Sequence, residues 1–589
     1  MKKAETPSLT YSPRNAWDVY TTATQKRQMD ALVKRYMDFL SNCKTERETV
    51  AYVQKRLQEA GFSEDFKKNT VFRNLRGKAI FAARKGKIPL QKGVHLIAAH
   101  ADSPRLDFKQ RPLVEQPGVA QAKTHYYGGI RKYQWLARPL ALHGVVVLEN
   151  GKSISVAIGE KAGEPVFTIA DLLPHLARKQ NSQTLAEVFD GEKLNIILGH
   201  SPAPTAAKNK DIKEPIKQHV LELLNAKYGI REEDLVTAEL QVVPAGPATY
   251  VGFDKGLVGG YGQDDRICVF TALEALLNAK NTNRLCPNMA VMFWDKEEIG
   301  SDGATGAASR FLQYCFEDLA RAWAPGIPVS QVLLNTRALS ADVDAAFDPD
   351  FPEVHEKQNA AQLGHGPVCS KYSGSGGKYG ASDADAEFYG YVRGLFNARN
   401  IPWQPAELGK VDVGGGGTVA LFLAAYGMQV IDCGPALLSM HSPFELASCV
   451  DILATAEAYK AFLEGSPAAA EAASLRGGGD VFCKNCPRPL SNSPPPLKKR
   501  FSGRHGRSPS LSGGEGLPAP DRRKDSLSCC HVCCLIEGIL AACPAESNAP
   551  SYIAISGSTL FLASRTPASR HSKTIRPVFS VFRHRTPTD

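Results

Sequence analysis

Three short apolar runs of the chain lead into acidic or histidine side chains. The run at residues 95–100 ends in His100. The run at 289–294 precedes the pair Glu297 and Glu298, and the run at 429–433 precedes His441. Continuous apolar runs of this length suit buried strands. In α/β proteins, ligands bind outside the carboxyl ends of the strands. The sequence therefore predicts an α/β fold with a candidate site along one edge of its sheet.

Helical periodicity and turn residues organise most of the remaining body of the chain. We predict helices at residues 26–61, 265–279 and 445–464, the first of which ends near Gly61. The stretch 106–245 has a different character, because strand-like runs alternate there with turns. The predicted organisation is a main domain in two parts, residues 1–105 and 246–465, an inserted β-rich domain at 106–245, and a tail at 466–589.

Charge is distributed unevenly between the body and the tail. The formal net charge is +10, but residues 466–589 hold 17 Lys and Arg against 8 Asp and Glu, which leaves the body almost neutral. The tail is also rich in Pro, Ser, Gly and Arg and lacks sustained periodicity. This composition is typical of disorder, which we expect for the tail. The basic charge therefore does not indicate a nucleic-acid partner for the body.

The sequence gives no sign of secretion or of a membrane span. The first residues are not followed by an apolar segment, and no run approaches the roughly 18–20 apolar residues that a span requires. The cysteines of the body are few and widely spaced, as expected in a reducing compartment. We therefore expect a cytoplasmic protein that does not enter a membrane.

Potential metal ligands stand at five places in the body. They are His100 with Asp102, Asp264, Glu297 with Glu298, Asp342, and His441. Taken singly, each group is more often structural or solvated. Together they form a mixed histidine and carboxylate set, which suits zinc, manganese or cobalt. Two such cations about 3.5–4 Å apart activate a bridging water and polarise a carbonyl, and a carboxylate beside them can act as the general base.

With these groups in place, the sequence resembles metallopeptidase family 18, and most closely its bacterial-type aminopeptidase 1 branch. The matching segments run in the family's order from near residue 15 to about 464, and they leave the tail uncovered. They are residues 100–109, 124–130, 261–266, 295–301, 409–418 and 434–445.

The resemblance implies a fold and a role for each ligand candidate. It implies a three-layer α/β/α catalytic domain with a mixed sheet and an inserted β-rich domain that mediates assembly. Asp264 would bridge two divalent metal ions, most readily zinc, with cobalt or manganese as alternatives. His100 and Asp342 would complete one site, and Glu298 and His441 the other. A further two residues would act in catalysis, Glu297 as general base and Asp102 by orienting His100.

The family's activity is removal of the N-terminal amino acid from peptides, by a metal-bound hydroxide that attacks the first peptide carbonyl. Its members are homo-oligomers, so we expect an assembly built from dimers, with the dodecamer as one candidate. Weaker carry-overs place substrate-binding groups at His175, Lys371, Lys378, Gly415 and Gly416, although each also has an ordinary structural explanation. Aspartyl-specific members carry several histidines after the residue that corresponds to Asp342. This chain lacks them, so the resemblance does not extend to a preference for acidic N-terminal residues.

Two alternatives remain open on the sequence. One is another co-catalytic metallohydrolase, such as a glutamyl aminopeptidase of a different family or a deacylase. The segment 124–130 favours family 18 over these. The other is an inactive hydrolase domain in a basic-tailed binding protein, against which the intact ligand set and Glu297 argue.

Overall fold

The structure, a computed structural model, describes residues 9–465 apart from 208, 210, 281–284 and 381, together with the backbone of Tyr552–Ser556 and Thr559–Ala563. The body and this second piece belong to separate units and are described separately. The second piece is an antiparallel hairpin in a tail for which the sequence predicts disorder. The remainder of that expectation lies outside the described residues.

The described residues form helices and strands that are numbered here in chain order. The helices α1 to α11 are Ala16–Val19, Ala23–Asn42, Glu46–Glu59, Leu185–Val188, Pro215–Tyr228, Gln263–Asn278, Phe311–Trp323, Val329–Leu334, Ala386–Ala398, Ala420–Ala424 and Cys449–Glu464. The strands β1 to β23 are Thr70–Leu75, Ala79–Arg84, Val94–His100, Arg105–Gln116, Val119–Tyr127, Leu140–Val147, Ser153–Ile158, Ile196–Gly199, Glu239–Pro244, Thr249–Val251, Leu257–Gly260, Asn288–Trp294, Arg337–Ser340, Asp344–Ala345, Val368–Ser370, Gly374–Ser375, Gln404–Pro405, Gly415–Gly416, Gln429–Gly434, Ala436–Leu438, Glu445–Ser448, Tyr552–Ser556 and Thr559–Ala563.

The main sheet has eight strands in the order β1-β2-β12-β3-β13-β19-β15-β17. Its centre is parallel, because β12, β3, β13 and β19 all run in one direction. The strands β2 and β15 pair antiparallel with this central group. The expected α/β fold with a mixed sheet is therefore confirmed.

Helices cover both faces of this sheet. Along β12, Met289, Val291 and Phe293 join one buried apolar cluster, and Ala290, Met292 and Trp294 join another. The first cluster includes side chains of α2, α3, α6, α9 and α11, and the second includes those of α7, α8 and α10. A strand buried on both faces is a continuous apolar run, which explains why these strands are visible in the sequence.

A second sheet of six strands, β7-β6-β9-β4-β5-β8, is formed by residues between Arg105 and Pro244. It has an apolar cluster of its own around Trp135, and α5 packs against β5 and β8. This observation supports the interpretation of residues 106–245 as an inserted β-rich domain, which remains a proposal in its boundaries and in its role in assembly.

Two of the predicted helices differ from the structure at their boundaries. The stretch 26–61 forms two helices, α2 and α3, because Thr45 begins a new capping box with Glu48. The stretch 445–464 begins as a strand, since β21 pairs with β11 and β20 before α11 starts at Cys449. Within the described part of the chain, no helix is long and apolar enough to cross a membrane.

Candidate metal centre

The central parallel strands bring the predicted ligand segments to a common edge. In the paired register, His100 at the end of β3 lies opposite Trp294 at the end of β12, and Ser340 of β13 lies opposite Ala98. The loops that follow these strands therefore begin side by side. Those loops carry the predicted groups Asp102, Glu297, Glu298 and Asp342. Asp264 lies at the start of α6, and His441 lies between β20 and β21, outside the main sheet.

Asp264 lies between the two histidines. Its Oδ1 is 3.3 Å from Nε2 of His100, and its Oδ2 is 3.1 Å from Nε2 of His441. Oδ1 of Asp342 is 3.8 Å from the same His100 nitrogen, and Oε1 of Glu298 is 3.5 Å from the same His441 nitrogen. Each oxygen of one carboxylate thus faces a different histidine, and each histidine has a second carboxylate beside it.

The other ring nitrogens are held by nearby acceptors. Nδ1 of His100 lies 3.1 Å from Oδ1 of Asp102, which is fully buried. Nδ1 of His441 lies 3.0 Å from the carbonyl oxygen of Gly129. A proton on each Nδ1 donates to these acceptors, so Nε2 is the atom of each ring that is available to bind a cation.

Burial and the neighbouring charges strongly shift the pKa values of the carboxyl groups at the centre. Burial raises the pKa of Glu297 to about 8, and nearby aspartates reinforce this effect while His100 opposes it. Burial also raises the pKa of Glu298 well above its usual range. For Asp264, burial acts in the same direction, but the interactions with His100 and His441 outweigh it and lower the pKa. The centre therefore holds more buried carboxylates than its two imidazoles can neutralise.

These residues fit divalent cations. Among the described residues, Oδ1 of Asp264 and Oε1 of Glu298 are buried and accept no hydrogen bond. A buried carboxylate is unfavourable unless it is paired or coordinates a metal. Two triads of potential ligand atoms each lie within 4.8 Å, one of His100, Asp264 and Glu298 and the other of His100, Asp265 and Asp342. Histidine and carboxylate donors at this spacing suit zinc or a similar cation.

A cavity of about 270 Å³ opens beside the centre, and His100, Asp264, Glu297, Asp342 and His441 contribute to its wall. A glycine-rich stretch that includes Gly415 and Gly416 of β18 forms another part of the wall. At Gly415, where φ is +129°, a Cβ atom would lie 2.2 Å from the carbonyl oxygen of Gly374. Only glycine allows this close pairing of β18 with β16.

The weaker substrate-binding candidates lie in different places. Lys378 lines the cavity, and its Nζ is 3.3 Å from Oδ2 of Asp383 and 3.6 Å from the ring centre of Tyr372. Lys371 follows β15 and is exposed, and the described residues that line the cavity do not include it. His175 is exposed on a short 3₁₀ helix, Pro174–Leu176, within the region of the second sheet and does not line the cavity.

Three residues at the centre make contacts that the sequence pattern does not predict. Oδ2 of Asp265 accepts a hydrogen bond from the backbone N–H of His100 at 3.3 Å. Glu445 accepts backbone hydrogen bonds from both Asp264 and His441. Tyr127 donates its hydroxyl to Asp102 at 2.7 Å. All three lie within or at the ends of the segments on which the family resemblance rests, but local spacing alone does not show these contacts.

Comparison with known proteins identifies the family of the chain. A family model for the aminopeptidase I zinc metalloproteases (M18) matches residues 39–463. The probable M18 family aminopeptidase 1 of Clostridium acetobutylicum is 46% identical over 462 residues, which cover 76% of this chain and 98% of that protein. The crystal structure of an M18-family aminopeptidase from Thermotoga maritima is 46% identical with a TM-score of 0.72, covering 78% of this chain and all 100% of that chain.

A more distant structure shows the same fold. It is described as the S. cerevisiae mApe1 dodecamer, is 22% identical with a TM-score of 0.62, and covers 77% of this chain and 100% of that chain. The family model extends over most of the body, and the bacterial relative is matched over nearly its whole length. The chain therefore belongs to the M18 family of aminopeptidase I zinc metalloproteases and is a metalloaminopeptidase.

Proposed function

We propose that this aminopeptidase works with two divalent cations, most readily zinc, which share the carboxylate of Asp264. The observation that carries the proposal is the geometry of that carboxylate. Its two oxygens face the Nε2 atoms of His100 and His441 at 3.3 and 3.1 Å. A carboxylate in this position can bridge two ions, whereas a single ion would leave one histidine without a role.

The remaining ligands follow from proximity. His100 and Asp342 would hold one ion, and Glu298 and His441 would hold the other. When bound, the cations would supply Lewis acidity toward a water molecule and toward the substrate carbonyl. This assignment is supported by the 3.8 Å and 3.5 Å separations of the second carboxylates from their histidines.

Glu297 would act as the general base. Its carboxylate lines the cavity beside the proposed ligands, and burial raises its pKa to about 8, close enough to neutral pH for the group both to accept and to release a proton. It would accept a proton from the attacking water and then donate that proton to the amine nitrogen that leaves as the peptide bond breaks. Asp102 would hold His100 in one tautomer and so keep Nε2 directed at the centre.

The substrate would be a peptide whose N-terminal residue enters the cavity. The glycine strand at Gly415 and Gly416 would allow close approach of the peptide backbone, and Lys378 lines the cavity near them. Lys371 is the sequence neighbour of Ser370 and Tyr372, which line the cavity. His175 lies in the inserted region. We retain Lys371 as a secondary candidate and His175 as a candidate for the site of a neighbouring subunit.

We further propose a homo-oligomer assembled through residues 106–245, in keeping with the dodecamer reported for the more distant yeast structure.

The seven cysteines of the described body form no disulfide and are buried, which supports the proposal of a reducing, cytoplasmic location.

Metal counting on three proteins tests the dinuclear proposal. The wild-type protein should contain two ions per chain and hydrolyse amino-acid anilides. Asp342→Asn should retain one tight ion, whereas Asp264→Asn should lose both, because the two oxygens of Asp264 each face a different histidine. Asp350→Asn, an exposed carboxylate eight residues after Asp342, is the matched control and should keep both ions.

The measurements are metal content after gel filtration and initial rates with and without a chelator. Equal metal content in Asp264→Asn and Asp342→Asn would contradict a bridging role. Wild-type activity that survives complete removal of metal would refute the proposal as a whole. Turnover of N-acylated amino acids without turnover of peptides that have a free amino terminus would favour a deacylase.

A further inference from the structure

Asp102 is a meeting point for four donors. Its carboxylate faces Nδ1 of His100 at 3.1 Å and accepts the hydroxyl of Tyr127 at 2.7 Å. The backbone N–H of Glu297 lies 3.1 and 3.2 Å from its two oxygens, and that of Glu298 lies 3.3 Å from Oδ2. The direction of this one carboxylate therefore affects a proposed metal ligand, the proposed general base and a second ligand.

Tyr127 is the one donor to Asp102, among these four, that comes from the second sheet. It is the last residue of β5 and pairs with Arg105 at the start of β4. The guanidinium carbon of Arg105 lies 3.8 Å from the ring centre of Tyr127, a cation–π contact. Arg105 is held in turn by Asp107 at 2.8 Å and by buried Glu46 at 3.5 Å. The tyrosine ring is thus fixed by a buried ionic network and is not a loosely held surface group.

The two residues after Tyr127 approach the other half of the centre. The carbonyl oxygen of Gly129 is 3.0 Å from Nδ1 of His441. Gly128 has a φ of +72°, and a Cβ atom there would lie 3.3 Å from both Cβ and Oε2 of Glu298. A single short segment at the end of β5 therefore contacts His441 directly, leaves no room for a side chain beside Glu298, and reaches His100 through Asp102.

We infer that Tyr127 is a positioning residue of the metal centre, and that through the segment 127–129 the second sheet orients the histidine ligands of both proposed ions. The inference rests on the proposed dinuclear function. Its chemical basis is the general one that a hydrogen-bonded carboxylate fixes the tautomer and orientation of a ligating imidazole. Without the tyrosine hydroxyl, Asp102 loses its shortest hydrogen bond and can turn away from His100.

Tyr127→Phe is the direct test, because it removes one hydroxyl and keeps the ring over Arg105. Full-length protein loaded with Co²⁺ is equilibrated against graded concentrations of a chelator, and bound metal and the visible absorption of Co²⁺ are followed together. Loss of such outer-shell partners typically weakens metal affinity or activity by about 10–100-fold. We expect the variant to release one of its two ions at a chelator concentration approximately 10–100-fold lower than the wild-type protein requires, with an altered spectrum. The second ion of the variant should be released only at a higher chelator concentration than the first.

Tyr126→Phe is the matched control, because Tyr126 is the preceding residue of β5 and is 44% exposed. It should have wild-type metal retention, spectrum and activity. In Tyr127→Phe, kcat should fall and KM should change little, and excess metal should restore part of kcat. An unchanged melting temperature would separate positioning from general destabilisation.

The outcomes are distinguishable. If Tyr127→Phe retains both ions with wild-type affinity and spectrum, the inference is wrong while the proposed function stands. If it loses both ions equally together with a large drop in melting temperature, Tyr127 is a folding residue and the inference is again wrong. If the wild-type protein does not bind two ions, the proposed function itself fails.

Discussion

Glu445 explains how residues from separate segments reach one position. Its Oε1 accepts the backbone N–H of His441 at 2.8 Å, and its Oε2 accepts that of Asp264 at 3.2 Å. Glu445 is almost fully buried, and burial raises its pKa to about 8. A single side chain of β21 thus ties the start of α6 to the loop that bears His441. The spacing between the proposed bridging carboxylate and its second histidine depends on this clamp.

At the same scale, Glu297→Gln is expected to keep both metal ions and lose turnover. The amide has nearly the same shape but cannot accept a proton from water. Removal of a general base typically lowers the rate about 10²–10⁴-fold, so kcat on an amino-acid anilide should fall within that range. Glu233→Gln is the control, because Glu233 is exposed and lies between α5 and β9. This variant should retain wild-type kcat. Loss of bound metal from Glu297→Gln would show that Glu297 is a ligand.

The ligand candidates could be predicted because polar residues at or soon after the end of an apolar strand are conspicuous in a sequence. His100 is the last residue of β3, and Glu298 lies four residues after the end of β12. Asp265, Glu445 and Tyr127 could not be assigned roles in this way, because their importance arises from contacts with residues far away in the chain. No local pattern distinguishes Tyr127 from Tyr126 beside it.

At the scale of elements, the buried strands were predictable and the junctions between elements were not. The run 289–294 is apolar on both faces because helices cover both sides of β12. The sequence pattern predicts helix for residues 445–448, but their backbone pairs with β11 and β20. Local propensity is a weak predictor where tertiary pairing decides the outcome.

One such junction joins α3 to the second sheet through a buried histidine. His143 of β6 lies with Nδ1 2.8 Å from Glu48 of α3 and with Nε2 3.0 Å from Glu160. Burial alone would lower the pKa of His143, but the two carboxylates outweigh it and raise the pKa from 6.5 to about 9. The protonated imidazole therefore stabilises the folded state below about pH 6.5, and this contribution is lost as the pH rises through about 9.

We therefore predict that His143→Gln destabilises the protein most at low pH. One pKa unit corresponds to about 1.4 kcal/mol. The pKa shift of His143 therefore limits the loss in the free energy of unfolding to about 3 kcal/mol. The melting temperature of the variant should lie up to about 3 °C below wild type at pH 6, and the gap should narrow by pH 10. Exposed His200→Gln is the control and should show no such trend. A gap that does not depend on pH would mean that His143 acts through packing alone.

At the scale of the whole molecule, the second sheet and the main sheet form one functional body. The body is one compact unit, and the end of β5 contributes Tyr127 and Gly129 to contacts at the metal centre. An inserted domain that served only for assembly would not need to reach the ligands. Composition and periodicity predicted that the region is β-rich, but they could not predict this contact, because it depends on how two sheets pack.

The tail carries most of the net charge, and its removal tests whether that charge serves the enzyme. Residues 466–589 hold 17 basic and 8 acidic residues, and the family match ends at residue 463. We predict that a protein ending at Gly465 keeps two metal ions per chain and a kcat/KM within about twofold of the full-length value, because each proposed ligand and Glu297 lies in the body and the body is almost neutral without the tail. Anilide hydrolysis, metal content and mass by light scattering should be measured on both proteins at low and high salt. If the shortened protein keeps its metal and mass but loses activity, the tail takes part in catalysis or substrate capture, and the catalytic boundary at residue 465 is wrong.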